Sequence, residues 1–321
     1  IRSWNIAPDY AEHPLPQTQL QSIQWIEYGS LRQRLRVVRT LNAGKATSTF
    51  TQDYVLDYAS PIVRIETTAD WQGDQVVLKT AFPVNLQAPR ATFETAYGAI
   101  ARTTQPQTPQ EKAQWEVPGI RWADLGDKHY GVSLLSDYKH GYDVQPDQIR
   151  LTLLKAPLWP DPGCDRGLHT FTYAIYPHSG TWQQAHTLHR AHGLTVPLRS
   201  LYCLEPDLAF LSEDGASAIA PSYSGSSDPV SGQQSYLNLG GRNVILSAFK
   251  QAEDDPNCYI LRYYEAHGEA ATVYLKTALP LGTPEPVNLL EGNLSEFDDC
   301  PPDRAIGAYQ LRSDRLRFVS K

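Results

Sequence analysis

Apolar and polar residues alternate with a period of two along almost the whole chain, and this constrains the fold more than any other feature. Successive side chains of a strand point to opposite faces, so such alternation marks strands with one buried face. Over residues 31–37, Leu31, Leu35 and Val37 share one face while Arg32, Arg34 and Arg36 share the other. Arginines in such a row could hold an anion or carboxylate, but a solvated sheet face is the simpler reading and is preferred. Further strands are expected at 62–67, 75–80, 149–154, 170–176, 244–250, 259–265, 272–276 and 316–319. Tyr, Val, Ile and Thr crowd these segments, and Pro, Gly, Asp and Asn clusters separate them. The pattern predicts an all-β, sandwich-like architecture.

One helix is expected, with Thr181 as N-cap and Trp182, Ala185 and Leu188 at helical spacing until Gly193. It carries His186, His189 and His192, with His178 just upstream. Steps of three turn a helix by about 300°, so the outer two rings diverge by roughly 120° and one ion cannot easily collect them. Solvated or hydrogen-bonded histidines are expected there, and no metal site.

Periodicity disappears over 212–235, where Ser, Gly, Pro and Asp dominate. That stretch reads as a linker or long loop dividing a large unit, 1–211, from a small sandwich, 236–321. At 321 residues, with 41% hydrophobic side chains, the chain can bury a large core. Its 28 basic against 35 acidic residues leave a net charge of −7, which disfavours nucleic acid as a partner. No apolar run approaches the roughly 18 residues needed to span a bilayer. Cys164, Cys203, Cys258 and Cys300 are widely spaced and fit unpaired thiols in a reducing cytoplasm. The sequon Asn293-Leu294-Ser295 adds little, because such triplets arise by chance. Methionine is absent and the first residue is Ile1, so a processed or excised piece of a longer protein is expected.

Chemistry concentrates between Val132 and His178. Tyr142 and Asp143 close a polar, glycine-bearing run, and the segment 157–167 is rich enough in Pro and Gly to form a rigid loop. Trp159, Asp161, Asp165, Arg166 and His169 are what a sugar site uses: Trp stacks on a pyranose face while Asp and Arg bond hydroxyls. Asp161 and Asp165 could also be the carboxylate pair of a glycosidase. A turn at Asp161 and an ion pair of Asp165 with Arg166 or Arg150 are the preferred alternatives.

The ordered motifs Val117-Pro118, Arg121-Trp122-Ala123-Asp124-Leu125, Tyr130-Gly131-Val132-Ser133-Leu134-Leu135 and Gly141-Tyr142-Asp143-Val144 resemble glycoside hydrolase family 38, the α-mannosidases. So do Pro160-Asp161-Pro162, Asp165-Arg166-Gly167, His169 and Phe171-Thr172-Tyr173-Ala174, followed by Leu246-Ser247-Ala248-Phe249-Lys250. The resemblance implies the C-terminal β region of such an enzyme: a mutarotase-like supersandwich, then a small sandwich. In that family the zinc ion, its His and Asp ligands and the nucleophilic Asp of the retaining mechanism belong to an N-terminal α/β domain followed by a helical bundle. No matching strand–helix alternation is found here, so no catalytic residue, metal ligand or cofactor is expected in this chain, which alone should be inactive. Its expected partners are an α-mannoside, reached through the intact enzyme, and its own catalytic domain, with no nucleic acid and no membrane; homo-oligomerisation is left open. The resemblance lets Tyr142, Asp143, Trp159, Asp161, Asp165, Arg166 and His169 reach the sugar site. Leu168 and Thr170 stand where many relatives carry Glu, so an acid role at those positions is excluded. The ending Phe318-Val319-Ser320-Lys321 is early for the family.

Two other readings are a stand-alone mutarotase, with His169 or His178 as acid and a Glu as base, and a carbohydrate-binding module stacking sugars on Trp159, Trp122 and Tyr142.

Overall fold

The computed structural model describes residues 6, 9–42, 46–199, 237–277, 279–294 and 304–319. The expected linker at 212–235, Cys203, Cys300 and Ser295 of the sequon lie outside them.

In the first part of the chain the strands are β1 (Gln19–Tyr28), β2 (Arg32–Asn42), β3 (Thr47–Asp57), β4 (Val63–Trp71), β5 (Val77–Pro83), β6 (Arg90–Thr95) and β7 (Gly98–Thr103). A one-turn helix, α1 (Pro109–Lys112), precedes β8 (Val117–Pro118), β9 (Trp122–Gly126), β10 (Tyr130–Ser136), β11 (Gly141–Gln145), β12 (Gln148–Lys155) and β13 (Gly167–Ser179). Nine of these form one antiparallel sheet in the order β1-β2-β3-β4-β13-β10-β9-β6-β7, faced by a smaller sheet β5-β12-β11-β8. The main core lies between them, built by the inward residues of each alternation: Phe50, Ile65, Trp71, Phe93, Leu125, Leu134, Ile149, Leu151 and Phe171. Strands β1, β3, β6, β7, β8, β9 and β11 are absent from the sequence expectation. All ten residues of β1 are exposed, so its sequence carries no buried face to read.

The opposite face of the large sheet is also covered. Register places Trp122 and Asp124 of β9, Ser133 and Leu135 of β10, and Ala174, Tyr176 and His178 of β13 on that face. Helix α2 (Thr187–Thr195) closes over it, with Ala191 and the preceding Trp182 packing on Trp122, Leu135, Ala174 and Tyr176.

The last part of the chain contributes β14 (Leu237–Asn238), β15 (Val244–Gln251), β16 (Cys258–Glu265), β17 (Ala271–Thr272), β18 (Lys276–Thr277), β19 (Glu285–Val287), β20 (Ala305–Ile306) and β21 (Leu311–Arg317). A four-stranded sheet β15-β16-β21-β19 and the pairs β14-β18 and β17-β20 enclose a small core of Leu261, Tyr263, Val273, Ile306 and Leu316. The strand expected at 272–276 is in fact two short pieces with different partners, β17 on β20 and β18 on β14. Leu188 of α2 packs on Ile245, Tyr264 and Ala266, so the helix is wedged between the large and small sandwiches. The all-β architecture and the order of a large sandwich followed by a small one are those expected from the sequence.

The arginine row on β2 meets acids on β3 and β4. Arg32 pairs with Asp57, Arg34 with both Asp53 and Glu66, and Arg36 with Asp53, at 2.6–3.0 Å. The guanidinium of Arg36, then that of Arg34, holds the Asp53 carboxyl below its ordinary range. This face is a cross-strand lattice of ion pairs whose cations are already compensated.

Candidate functional site

The segment between β12 and β13 leaves the small sheet at Ala156, whose backbone is held by Val76 and Gln75. A cis Trp159–Pro160 bond and two turns, Cys164 N–H to Asp161 O and Arg166 N–H to Gly163 O, then shape it. Gly163 adopts φ +82°, a left-handed conformation that suits glycine. Strand β13 begins at Gly167, so His169 belongs to a strand and the loop ends at Arg166. The His169 ring Nε2 faces the Asp165 carbonyl oxygen at 2.7 Å, and this nitrogen therefore donates. Arg166 pairs with Asp74, and Arg150 pairs with Asp143, so neither forms the expected ion pair with Asp165. Beside the loop, the Lys139 ammonium sits 4.6 Å from the centres of the Tyr138 and Phe171 rings. Burial pushes the Lys139 value down, against the attraction of Asp137 and Asp165. Trp159 is 55% exposed at the loop tip, and Asp161 and Arg166 are exposed with it.

Tyr142 and Asp143 lie elsewhere, on β11. Tyr142 has no exposed surface, so its expected sugar contact is corrected: the ring points inward and packs edge-on against Phe93 at 6.2 Å. Burial drives its phenol value far upward. Asp143 points to the other face, where Arg150 reaches it at 2.5 Å, Lys79 approaches at 3.7 Å and the Tyr10 hydroxyl donates to it. Glu116 binds Lys79 at 2.9 Å and accepts from the Thr152 hydroxyl, completing a charge network on the outer face of the small sheet. Five of the seven candidates thus gather on one loop and its following strand, and two do not.

The histidines separate as well. His178 is buried, with Nε2 at 2.7 Å from Asp124 Oδ2 and Nδ1 at 3.2 Å from the Gly180 carbonyl. Asp124 also accepts from Ser133, whose hydroxyl meets Thr187 at 2.8 Å. Gly131 makes room for this ring, since a Cβ there would lie 2.6 Å from His178 Cε1. A His enclosed in this way has no path to substrate, which corrects its assignment as a mutarotase acid. Trp122 is fully buried too, so the stacking platform of Trp122, Tyr142 and Trp159 does not exist. Among the described residues no three His, Cys, Asp or Glu side chains converge to share a cation, and no step through a metal is derived from this chain.

One polar feature was missed by sequence reasoning. Arg39, Gln52, Tyr54, Thr67, Thr80 and Tyr173 line a cavity of about 290 Å³ between the two sheets of the large sandwich. Its signal was available, because Arg39, Gln52 and Thr67 interrupt the apolar side of their strands' alternation.

Comparison with known proteins places this architecture. The profile described as glycosyl hydrolases family 38 C-terminal domain matches residues 1–163, and that of the family 38 C-terminal beta sandwich domain matches residues 243–313. Alpha-mannosidase 2C1 of Mus musculus is 35% identical over 273 residues, which is 83% of this chain and 24% of that protein. The Homo sapiens protein of the same name is 35% identical across 85% of the chain and 23% of its own length. The chain therefore spans about a quarter of the curated relatives it matches. A crystal structure of an alpha-mannosidase from Enterococcus faecalis V583 superposes with a TM-score of 0.70 over 94% of this chain and 35% of its own, at 16% identity, and so speaks to the fold alone. With both profiles in order along an all-β chain, the protein belongs to glycosyl hydrolase family 38, as the C-terminal β region of that family.

Proposed function

We propose that this chain is the C-terminal β portion of an α-mannosidase that hydrolyses terminal α-D-mannosides. The observation carrying this reading is the ordered match to both C-terminal profiles, together with relatives named as alpha-mannosidases at 35% identity. In this reading zinc and the Asp nucleophile of a retaining mechanism reside in a preceding catalytic portion, and this chain alone is inactive. The enzyme works in the cytoplasm, in keeping with the unpaired Cys164 and Cys258; among the described residues no helix is long and apolar enough to cross a membrane. Ile23, Trp25 and Tyr28 of β1 and Leu56 of β3 expose 41–75% of their surface on the large sheet, and we assign this apolar edge to packing on the catalytic portion.

The loop bearing Trp159, Asp161, Asp165 and Arg166 extends to the sugar site in the intact enzyme. Its exposed aromatic ring and charged groups on a stiff backbone support that role. The test is hydrolysis of an aryl α-D-mannoside by the full-length protein, with the β-anomer as control. Hydrolysis of the α-anomer alone is expected, and no hydrolysis would overturn the assignment. In the same protein Arg166→Ala should lower kcat/KM about tenfold through loss of loop positioning. An unchanged value would make the loop a packing element.

A further inference from the structure

The cavity between the sheets of the large sandwich has the chemistry of a binding site of its own. Strand register puts Arg39 opposite Phe50, Gln52 opposite Thr67, and Tyr54 opposite Ile65, all on the inward face of the large sheet, with Tyr173 beside Ile65. Thr80 and Leu78 of β5 and Leu153 of β12 form the opposing wall.

Three observations indicate a ligand. First, Arg39 makes one hydrogen bond, from Nη1 to Thr18 Oγ1 at 3.3 Å, and no ion pair among the described residues. Among the described residues no carboxylate lines the cavity, and the ammonium of Lys79, the other cationic residue in its lining, is engaged by Glu116 on the outer face of the small sheet. The arginines one strand-face away, Arg32, Arg34 and Arg36, are all matched by acids, so the uncompensated guanidinium is confined to this cavity side of β2. Second, Thr67 is 4% exposed and its hydroxyl stands beside the Tyr173 phenol, as does that of Thr80, so the cavity wall carries a cluster of hydroxyls. Third, Gln52 Nε2 donates to the Tyr173 hydroxyl at 2.9 Å and fixes the phenol on the cavity wall, while the Phe50, Tyr54 and Tyr173 rings supply flat apolar surface. Hydroxyls, an amide, aromatic faces and one guanidinium fork without an acidic partner among the described residues select a small polyhydroxylated molecule bearing a carboxylate. A volume of about 290 Å³ lies at the lower end of small-molecule pockets and admits one sugar ring, not an oligosaccharide.

The geometry points to a second carbohydrate site, independent of the mannosidase reading, in which Arg39 binds the carboxylate of a single hydroxylated acid ring, a uronate, and Thr67, Tyr54 and Gln52 bind its hydroxyls. Isothermal titration of the full chain with D-mannuronate and D-glucuronate tests it, with methyl α-D-mannoside and acetate as controls. Saturable binding of at least one uronate is expected, at least tenfold tighter than either control. Arg39→Met should weaken binding tenfold or more, with Arg39→Lys intermediate because it keeps the charge and loses the fork. Thr67→Val should weaken binding with little change in the Tm of the free chain, since it removes one hydroxyl from the cavity wall and keeps the shape of the side chain. No binding of either uronate, equal binding of the neutral glycoside, or affinity unchanged in both Arg39→Met and Thr67→Val would each overturn the site.

Discussion

At the scale of single residues, what a side chain does depends on which strand face covers it. Glu94 is the sharpest case: it stands on β6 with 1% of its surface exposed. Its carboxylate accepts from the Arg121 backbone N–H at 2.7 Å and from Arg121 Nε at 3.0 Å. Nothing in the sequence distinguishes this Glu from a solvated one, since the pair is 27 residues apart and is made by the pairing of β6 with β9. Truncating one partner of a buried pair leaves the other charge uncompensated. Glu94→Ala should therefore cost about 3–5 kcal/mol in urea unfolding. A loss near the 0–1 kcal/mol of an exposed pair would show that water compensates Arg121 instead.

At the scale of elements, α2 shows how far local signals reach. The expected N-cap exists in part: Thr181 and Gln184 exchange hydrogen bonds from each backbone N–H to the other's side chain. His186 then adopts φ +56°, and the regular helix starts only at Thr187. Its histidines do diverge as expected. His186 meets Arg242, while His192 accepts from Arg121 Nη1 at 3.1 Å through Nδ1, because a guanidinium can only donate. Burial, then the Arg121 charge, pushes His192 down to about 4 from an ordinary 6.5. His186, His189 and His267 are lowered by burial as well. A lowered folded-state value means the unfolded chain takes up protons first as pH falls. The stabilisation is complete above pH 6.5 and is lost as pH falls toward about 4. Thermal melts should show Tm declining through that window, and His192→Gln should make the decline shallower by about 2 °C. An identical pH profile in the variant would remove His192 from the account.

At the scale of the whole molecule, the two sandwiches are joined by packing. Leu188 is 1% exposed between α2 and the small sheet, Tyr97 of the large sandwich meets Tyr264 of the small one edge-on at 5.4 Å, and Trp182 meets His267 at 5.3 Å. Such contacts couple the two cores, so calorimetry should record one unfolding transition. Leu188→Ala should lower its stability by about 2–5 kcal/mol. Two separate transitions in the unsubstituted chain would show that the interface does not couple them.

The sequence by itself determined the all-β class, the loop before β13, the existence of a helix near residue 187 and the family. These follow from local alternation, turn chemistry and ordered motifs, which need no knowledge of distant partners. Only the tertiary structure decided that Trp159 is at the surface while Tyr142 and Trp122 are core, and that Asp143 belongs to Arg150. It also decided that Arg39 faces a cavity while Arg36 faces Asp53. Alternation distinguishes the two faces of a strand, but only the packing of sheets separated by many residues determines which face is covered, by what, and where a polar gap remains.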